Sequence, residues 1–450
     1  MRQNINSKTS KTDIFRWILT ALLSALLIFA AHIVFAGNTS IFDTEGAYAC
    51  KAEVLELGEF VNDSYEIEEG VSSFENYTQY FTAEILNGEF KGETVTAAQT
   101  GDNYTIGVAE KDVEPGDKVV LYNYGTKQGE ADWVFGGYAR FDGILILIVL
   151  YCAAMLVLGR IKGFKTLVSL GFTCLAVFYV FIPAILGGHN IYIQTAFVCI
   201  YTIVMTLLIT GGFTDKSITT IIGCSFGVAV AALCAFIFNK VLLLTGMTDE
   251  HSIYLIQLNP DHPMDLNALI FAMIVIGALG AVMDVAMDIS ASLHELHEKA
   301  PHLNFSELFR SGITIGRDIM GTMANTLVLA YIGSQLCTIL LLIMYSSSLY
   351  ELINREGIVV EMLNAFIGSF AILLTIPLTS LVCAAFYTGS ASRKPREKAV
   401  QSADSPEETA AAGTRMSRRQ AREQREKSQD DWIKELEALS TERNRNQQRH

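Results

Sequence analysis

Apolar residues in this chain are gathered into long uncharged runs, with the polar residues held in a few blocks between them. Runs of about 20 apolar residues are long enough to cross a ~30 Å hydrocarbon core. In that solvent a helix satisfies every backbone N–H and C=O within one segment. Such runs extend from Ile14 to Ala36 and over approximately 143–159, 166–186, 191–210, 218–238, 267–287, 319–344 and 364–387. The pattern predicts an all-α polytopic membrane helix bundle of about eight spans.

Between the first two runs the period changes. Short β-prone stretches (Tyr80 to Leu86, Glu93 to Ala98, Tyr104 to Val108, Lys118 to Tyr122) alternate with turn chemistry at Asn87-Gly88 and Glu114-Pro115-Gly116-Asp117. They predict a small extracytoplasmic β-rich domain, by strand count a barrel of oligonucleotide-binding type. Trp133, Phe135, Tyr138 and Phe141 follow as an aromatic cluster suited to a membrane interface. Four parts result: 1–36, the N-terminus and first span; 37–138, the β-rich domain; 139–390, seven further spans; and 391–450, a charged tail, partly disordered or helical.

Charge sharpens this division. The net charge of -14 resides in residues 37–141, where 20 Asp+Glu face 6 Lys+Arg. So acidic a surface argues against nucleic acid as a partner. Arg160, Lys162 and Lys165 mark one side of the membrane, and the loop containing Asp249, Glu250, Asp261 and Asp265 marks the other. With Arg2, Lys8 and Lys11 before the first run and basic residues in the tail, the positive-inside rule places both termini in the cytoplasm. Val34-Phe35-Ala36 is a passable cleavage site, but the apolar core before it is longer than a signal core, so the run reads as an uncleaved anchor. Seven of the eight cysteines sit in apolar stretches and only Cys50 falls in the β-rich domain, so no disulfide can form within that domain. The tail carries 14 basic and 11 acidic residues, with Trp432, Leu436 and Leu439 at helical spacing inside a Ser417 to Leu439 segment.

Candidate chemistry concentrates between Gly277 and Gly333. Gly277, Ala281, Asp284 and Asp288 recur at i, i+4, i+7 and i+11, one stripe of a helix. Small residues admit a neighbouring helix, and carboxylates at membrane depth normally face a bundle interior or a water-filled cavity. The stripe therefore reads as an inward-facing seam. On the next run Asp318, Gly321 and Asn325 share a face, Gly316 adds a further small residue, and Arg317 is a natural partner for Asp284 or Asp288. The intervening loop carries His294, His297 and Glu298 at metal-ligand spacing. These are weak candidates, because the motif is not HExxH and histidines in a surface loop are usually solvated.

The runs from Gly277 to Asp288 and from Gly316 to Leu327 resemble the paired hallmark of the bacterial YibE/F-like membrane proteins. Gly211-Gly212-Phe213-Thr214-Asp215-Lys216-Ser217 and Ile376-Pro377-Leu378-Thr379-Ser380 are similar to that family too. The likeness covers roughly 140–390, and the outer domain with the first span fits the family's long form. The resemblance implies a multi-pass protein of the bacterial cell membrane and brings no reaction or ligand with it.

Three function classes remain open. The first is a transporter or permease of a small solute or ion. Its support is the polar seam, the Gly211-Gly212 and Pro377 breaks, and the lack of a nucleotide motif, which implies ion or proton coupling. The second is a non-catalytic scaffold or assembly factor, in which the seam only packs helices and the outer domain or tail recruits a partner, a membrane protein or another copy of the chain. The third is a membrane enzyme, for which no Ser-His-Asp, P-loop or HExxH arrangement is visible. No motif implies a cofactor, and the lipid bilayer is the one partner common to all three.

Overall fold

A computed structural model describes residues 11–37, 48–65, 74–102, 111–123, 133–248, 250–258 and 264–391. The expected strand from Tyr104 to Val108, the loop residues Asp249 and Asp261, and the tail beyond Ala391 with Trp432, Leu436 and Leu439 lie outside the described residues.

The β-rich insert is a closed five-stranded barrel of β1 (Tyr48–Tyr65), β2 (Phe74–Ile85), β3 (Thr94–Asp102), β4 (Lys118–Asn123) and β5 (Trp133–Tyr138), ordered β1-β2-β3-β5-β4. Among the described strands only β3 and β5 run parallel. The long β1 pairs with β4 through its first third and with β2 along most of its length, with register shifts near Val54 and Leu57. Closure leaves none of the described strands as an edge to pair with other chains. Inward positions alternate along the strands: Cys50, Ala52 and Val54 on β1, Phe81, Ala83 and Ile85 on β2, Val119 and Leu121 on β4. Buried Gln99 is satisfied, accepting from Val113 N at 3.0 Å and donating to Lys111 O at 3.1 Å. Both expected turns form, with Gly88 and Gly116 at positive φ and the Glu114 N–H donating to Asp117 Oδ2 at 3.1 Å.

The aromatic cluster needs correction. Trp133, Phe135 and Tyr138 form β5, and Trp133 is buried in the barrel core, its ring 5.6 Å from that of Phe90. An aromatic-rich strand and an interfacial belt have the same composition, and only the pairing separates them. Phe141 stays exposed.

Helices follow as α1 (Lys11–Ala31), α2 (Phe141–Leu175), α3 (Ile182–Leu186), α4 (Ile191–Gly211), α5 (Asp215–Val241), α6 (Glu250–Leu258), α7 (Leu266–Lys299), α8 (Phe305–Ser334), α9 (Leu336–Tyr345), α10 (Leu349–Asn354) and α11 (Glu356–Ala391). Two π-helical turns, His32–Ala36 after α1 and Ala176–Phe181 between α2 and α3, face each other. His32 stacks on the Tyr179 ring at 3.8 Å, and its Nδ1–H donates to the Tyr179 carbonyl at 2.8 Å. Capping follows local rules: Asn190, Thr214 and Asp265 each accept a backbone N–H of the first turn, and Asn304 with Glu307 forms a capping box.

Six helical stretches among the described residues are long and apolar enough to cross a membrane, or seven if the bent pair α8–α9 counts as one span. The expected eight differ from this count because residues 141–186 form one 46-residue stretch. That stretch is interrupted at Arg160, whose φ of 48° is non-helical. A second departure is the 64° bend at Gln335 between α8 and α9, inside what the hydropathy pattern read as a single run.

Burial is centred on α4, α5, α7 and α11, where Ile203, Leu207, Ala231, Ala235, Ile274, Val282 and Ala371 are almost wholly enclosed. Close approach is set by glycine. Gly223 and Gly227 on α5 lie against Thr379 and Thr375 of α11, and Gly312 and Gly316 on α8 lie against Ser380 and Ile376. Small residues allow such approach between membrane helices, where the lipid gives apolar side chains no reason to seek each other.

Candidate functional site

α7 has 34 residues and is about 51 Å long at ~1.5 Å per residue, against a hydrocarbon core of ~30 Å. Its start is level with the end of α5, since Asn239 Nδ2 donates to Asn267 O at 3.0 Å. The excess length therefore emerges at the other end. It carries His294, His297 and Glu298, which belong to the last turns of α7 and not to a loop.

α8 returns antiparallel along α7. Gly277 faces the Tyr331 hydroxyl, and Gly312 faces Leu293. Between these contacts, Asp288 lies level with about residues 317–320 of α8 and Asp284 with about 321–324. Asp284, Asp288, Arg317, Asp318 and Asn325 thus fall within a few turns of one another in depth. All five are exposed on the protomer, as are Gly277 and Gly321, whereas Ala281 is half-buried and Gly316 buried. The buried face of α7 is instead Ala278, Val282, Val285, Ala286, Ile289 and Leu293.

The inward orientation expected of the stripe is therefore not what this protomer shows. Nor do the arginine and the aspartates meet: Arg317 forms no ion pair with Asp284 or Asp288 among the described residues. The reason lies on α8, where Gly312 and Gly316 occupy the packed face and turn Arg317 to another side. Of the expected packing glycines, Gly277 and Gly316 make close approaches, while Gly321 has open space around it.

The polar layer that is buried lies elsewhere, where α5, α7 and α11 meet. Thr219 Oγ1 and Ser290 Oγ are 2.7 Å apart, the Ser290 hydroxyl donates to Lys216 O at 3.1 Å, and the Tyr387 hydroxyl is 3.4 Å from Thr219 Oγ1. His297 stacks on the Tyr387 ring at 5.2 Å, and His294 lies 5.6 Å from it. Toward the bundle centre the same α11 face continues through Cys383, Thr379 and Thr375, all fully buried. Thr379 Oγ1 and the Nδ1 atoms of His294 and His297 have no hydrogen-bond partner among the described residues. The signal for this layer was present in the sequence: glycines four apart on α5 match hydroxyls four apart on α11.

His294 Nε2 lies 3.5 Å from Glu298 Oε1. Among the described residues no three His, Cys, Asp or Glu side chains are grouped so as to hold a metal ion. His297 is turned to Tyr387 and does not join that pair.

The model of the YibE/F-like protein family matches residues 147–389, more than half of the chain, and the chain belongs to that family. It is a multi-pass bacterial membrane protein, embedded in the lipid bilayer. No curated protein and no solved structure matches it.

Proposed function

We propose that this YibE/F-like protein is a membrane transporter or permease for a small solute or ion, driven by ion or proton coupling through the carboxylates of α7. The observation that carries this reading is Asp284, exposed on the protomer about 18 residues into a helix that needs ~20 to cross the core. A carboxylate meeting lipid costs about 2.5–3.5 kcal/mol at the helix centre on insertion scales and less toward the boundary where Asp284 lies, and carboxylates within spans normally line a water-filled path. Asp288, Arg317, Asp318 and Asn325 supply further polar lining at nearby depth. The Gly211-Gly212 corner, with Gly212 at φ 70°, gives a flexible joint between α4 and α5.

The same reading includes eight spans with both termini in the cytoplasm. At Arg160 the helix is broken, and Gly163 comes against the Met155 carbonyl, so the long stretch is taken as two spans joined by a turn that carries Arg160, Lys162 and Lys165. The four-part division at residues 36, 138 and 390 belongs to this proposal, as does the oligonucleotide-binding type of the barrel.

The same polar face also fits a packing role, which is the scaffold or assembly-factor reading, with the outer domain or tail recruiting the partner. Labelling separates the two. In Asp284→Cys, a water-soluble charged thiol reagent should modify the new thiol in intact membranes, with the unsubstituted protein as background. Full protection of that cysteine, together with unchanged cellular function of Asp284→Asn, would remove the main residue from the transport reading and favour the scaffold.

A further inference from the structure

Between α5, α8 and α11 a crevice of about 860 Å³ opens to the surface, lined almost wholly by apolar side chains including Phe238, Met320, Ala324, Leu363, Phe366 and Phe370. Its α11 wall runs from Val359 to Leu373, about 21 Å at ~1.5 Å per residue. That exceeds one leaflet's share of a ~30 Å core. In a membrane-embedded bundle an apolar crevice of that length is wide and long enough to accept an acyl chain.

Charge beyond one end of the crevice makes the occupant specific. Arg310, Arg317, Gly321 and Ala324 recur at i, i+7, i+11 and i+14, one face of α8. Gly321 and Ala324 line the crevice, so the two arginines continue that face beyond its end. Both are exposed, and neither forms an ion pair or side-chain hydrogen bond among the described residues. Side chains on a helix tilt toward its N-terminus, which aims Arg317 away from the apolar wall and toward Arg310. A guanidinium offers a planar fork of donors matched to phosphate oxygens.

We infer that this crevice with Arg317 and Arg310 is a binding site for an anionic glycerophospholipid, its chain along α11 and its phosphate on Arg317. Arg310 lies about 10 Å further along the axis and adds positive potential at the headgroup. Basic positions between membrane helices at one bilayer face are the chemistry that selects anionic headgroups. This site shares Arg317 with the proposed polar lining but depends on neither Asp284 nor Asn325, so lipid retention and transport are read by separate variants.

The test uses the full chain purified in detergent, with retained lipid counted by native mass spectrometry. Phosphatidylglycerol competes against phosphatidylcholine of identical chains. Preferential retention of phosphatidylglycerol by at least several-fold is expected, with no displacement by inorganic phosphate, since the chain supplies part of the binding. Arg310→Gln with Arg317→Gln should abolish the preference without lowering the melting temperature in detergent, because neither arginine has a side-chain partner among the described residues. Ala324→Phe should reduce retention of both lipids by filling the crevice. Equal retention of the two lipids by the unsubstituted protein would overturn the site, even if the double variant failed to fold. An undiminished preference in a folded double variant would overturn the role of the arginines.

Discussion

Glu356 takes both donors of Thr245: its Oε1 accepts from the Thr245 N–H at 2.7 Å, and its Oε2 accepts from the Thr245 hydroxyl at 2.8 Å. The Gly246 N–H adds a third bond to Oε1 at 2.6 Å. The first residue of α11 thereby fixes the loop that leaves α5, where Gly246 takes φ 91° against Leu266. Removing an acceptor that serves several donors costs about 1–3 kcal/mol. Glu356→Ala should lower the melting temperature of the purified protein, and Glu356→Gln should lose less because one oxygen remains. Unchanged melting of both variants would show that the loop holds without the clamp.

Glycine substitutions on α8 and α7 should separate packing from open surface. A Cβ at Gly316 would run into Ile376, whereas Gly280 has nothing within 4 Å. Overpacking a close contact costs about 1–3 kcal/mol. Gly316→Ala should reduce folded yield in membranes, and Gly280→Ala should not. Equal yields would mean that α8 can move off α11 freely.

Acid sensitivity of the barrel should include a term from Asp117. Its carboxylate is held below the ordinary range by the hydrogen bond from Lys111, with Nζ at 3.1 Å, and by the Glu114 N–H. A depressed acid contributes stability that is complete above its unfolded value, about pH 4. That contribution is lost as pH falls through the lower folded value. Asp117→Asn should therefore flatten the acid limb of the stability profile below about pH 4, an effect kept small by exposure to solvent. Superimposable acid limbs for the two proteins would exclude Asp117 as a contributor.

Topology can be read by thiol labelling in intact cells. Glu114→Cys, in the barrel, should react with an impermeant reagent from outside, and Lys162→Cys only after the membrane is opened. If both react from the same side, Arg160 does not mark a reversal and the chain has one span fewer before α4.

Hydropathy runs placed α4 and α5 to within three residues at both ends, because the length of an uncharged run is a local property that the bilayer thickness reads directly. They missed the last turns of α7, the first turns of α8 and the first turns of α11. The turns at Asn87-Gly88 and Glu114 to Asp117 were equally local, being set by positive-φ glycine and side-chain capping. Which face of α7 is buried was decided only by tertiary structure. In lipid an apolar side chain gains nothing by pointing inward, so the stripe of Gly277, Ala281, Asp284 and Asp288 carried no information on its own direction. The direction was set by Gly223 and Gly227 on α5 and by Gly312 and Gly316 on α8, whose close contacts lie on α11 and α7. The extension of α7 through His294 and His297 was hidden for a related reason. Once a helix leaves the bilayer its sequence turns polar like a loop, and only packing of those histidines on Tyr387 of α11 reveals that it continues.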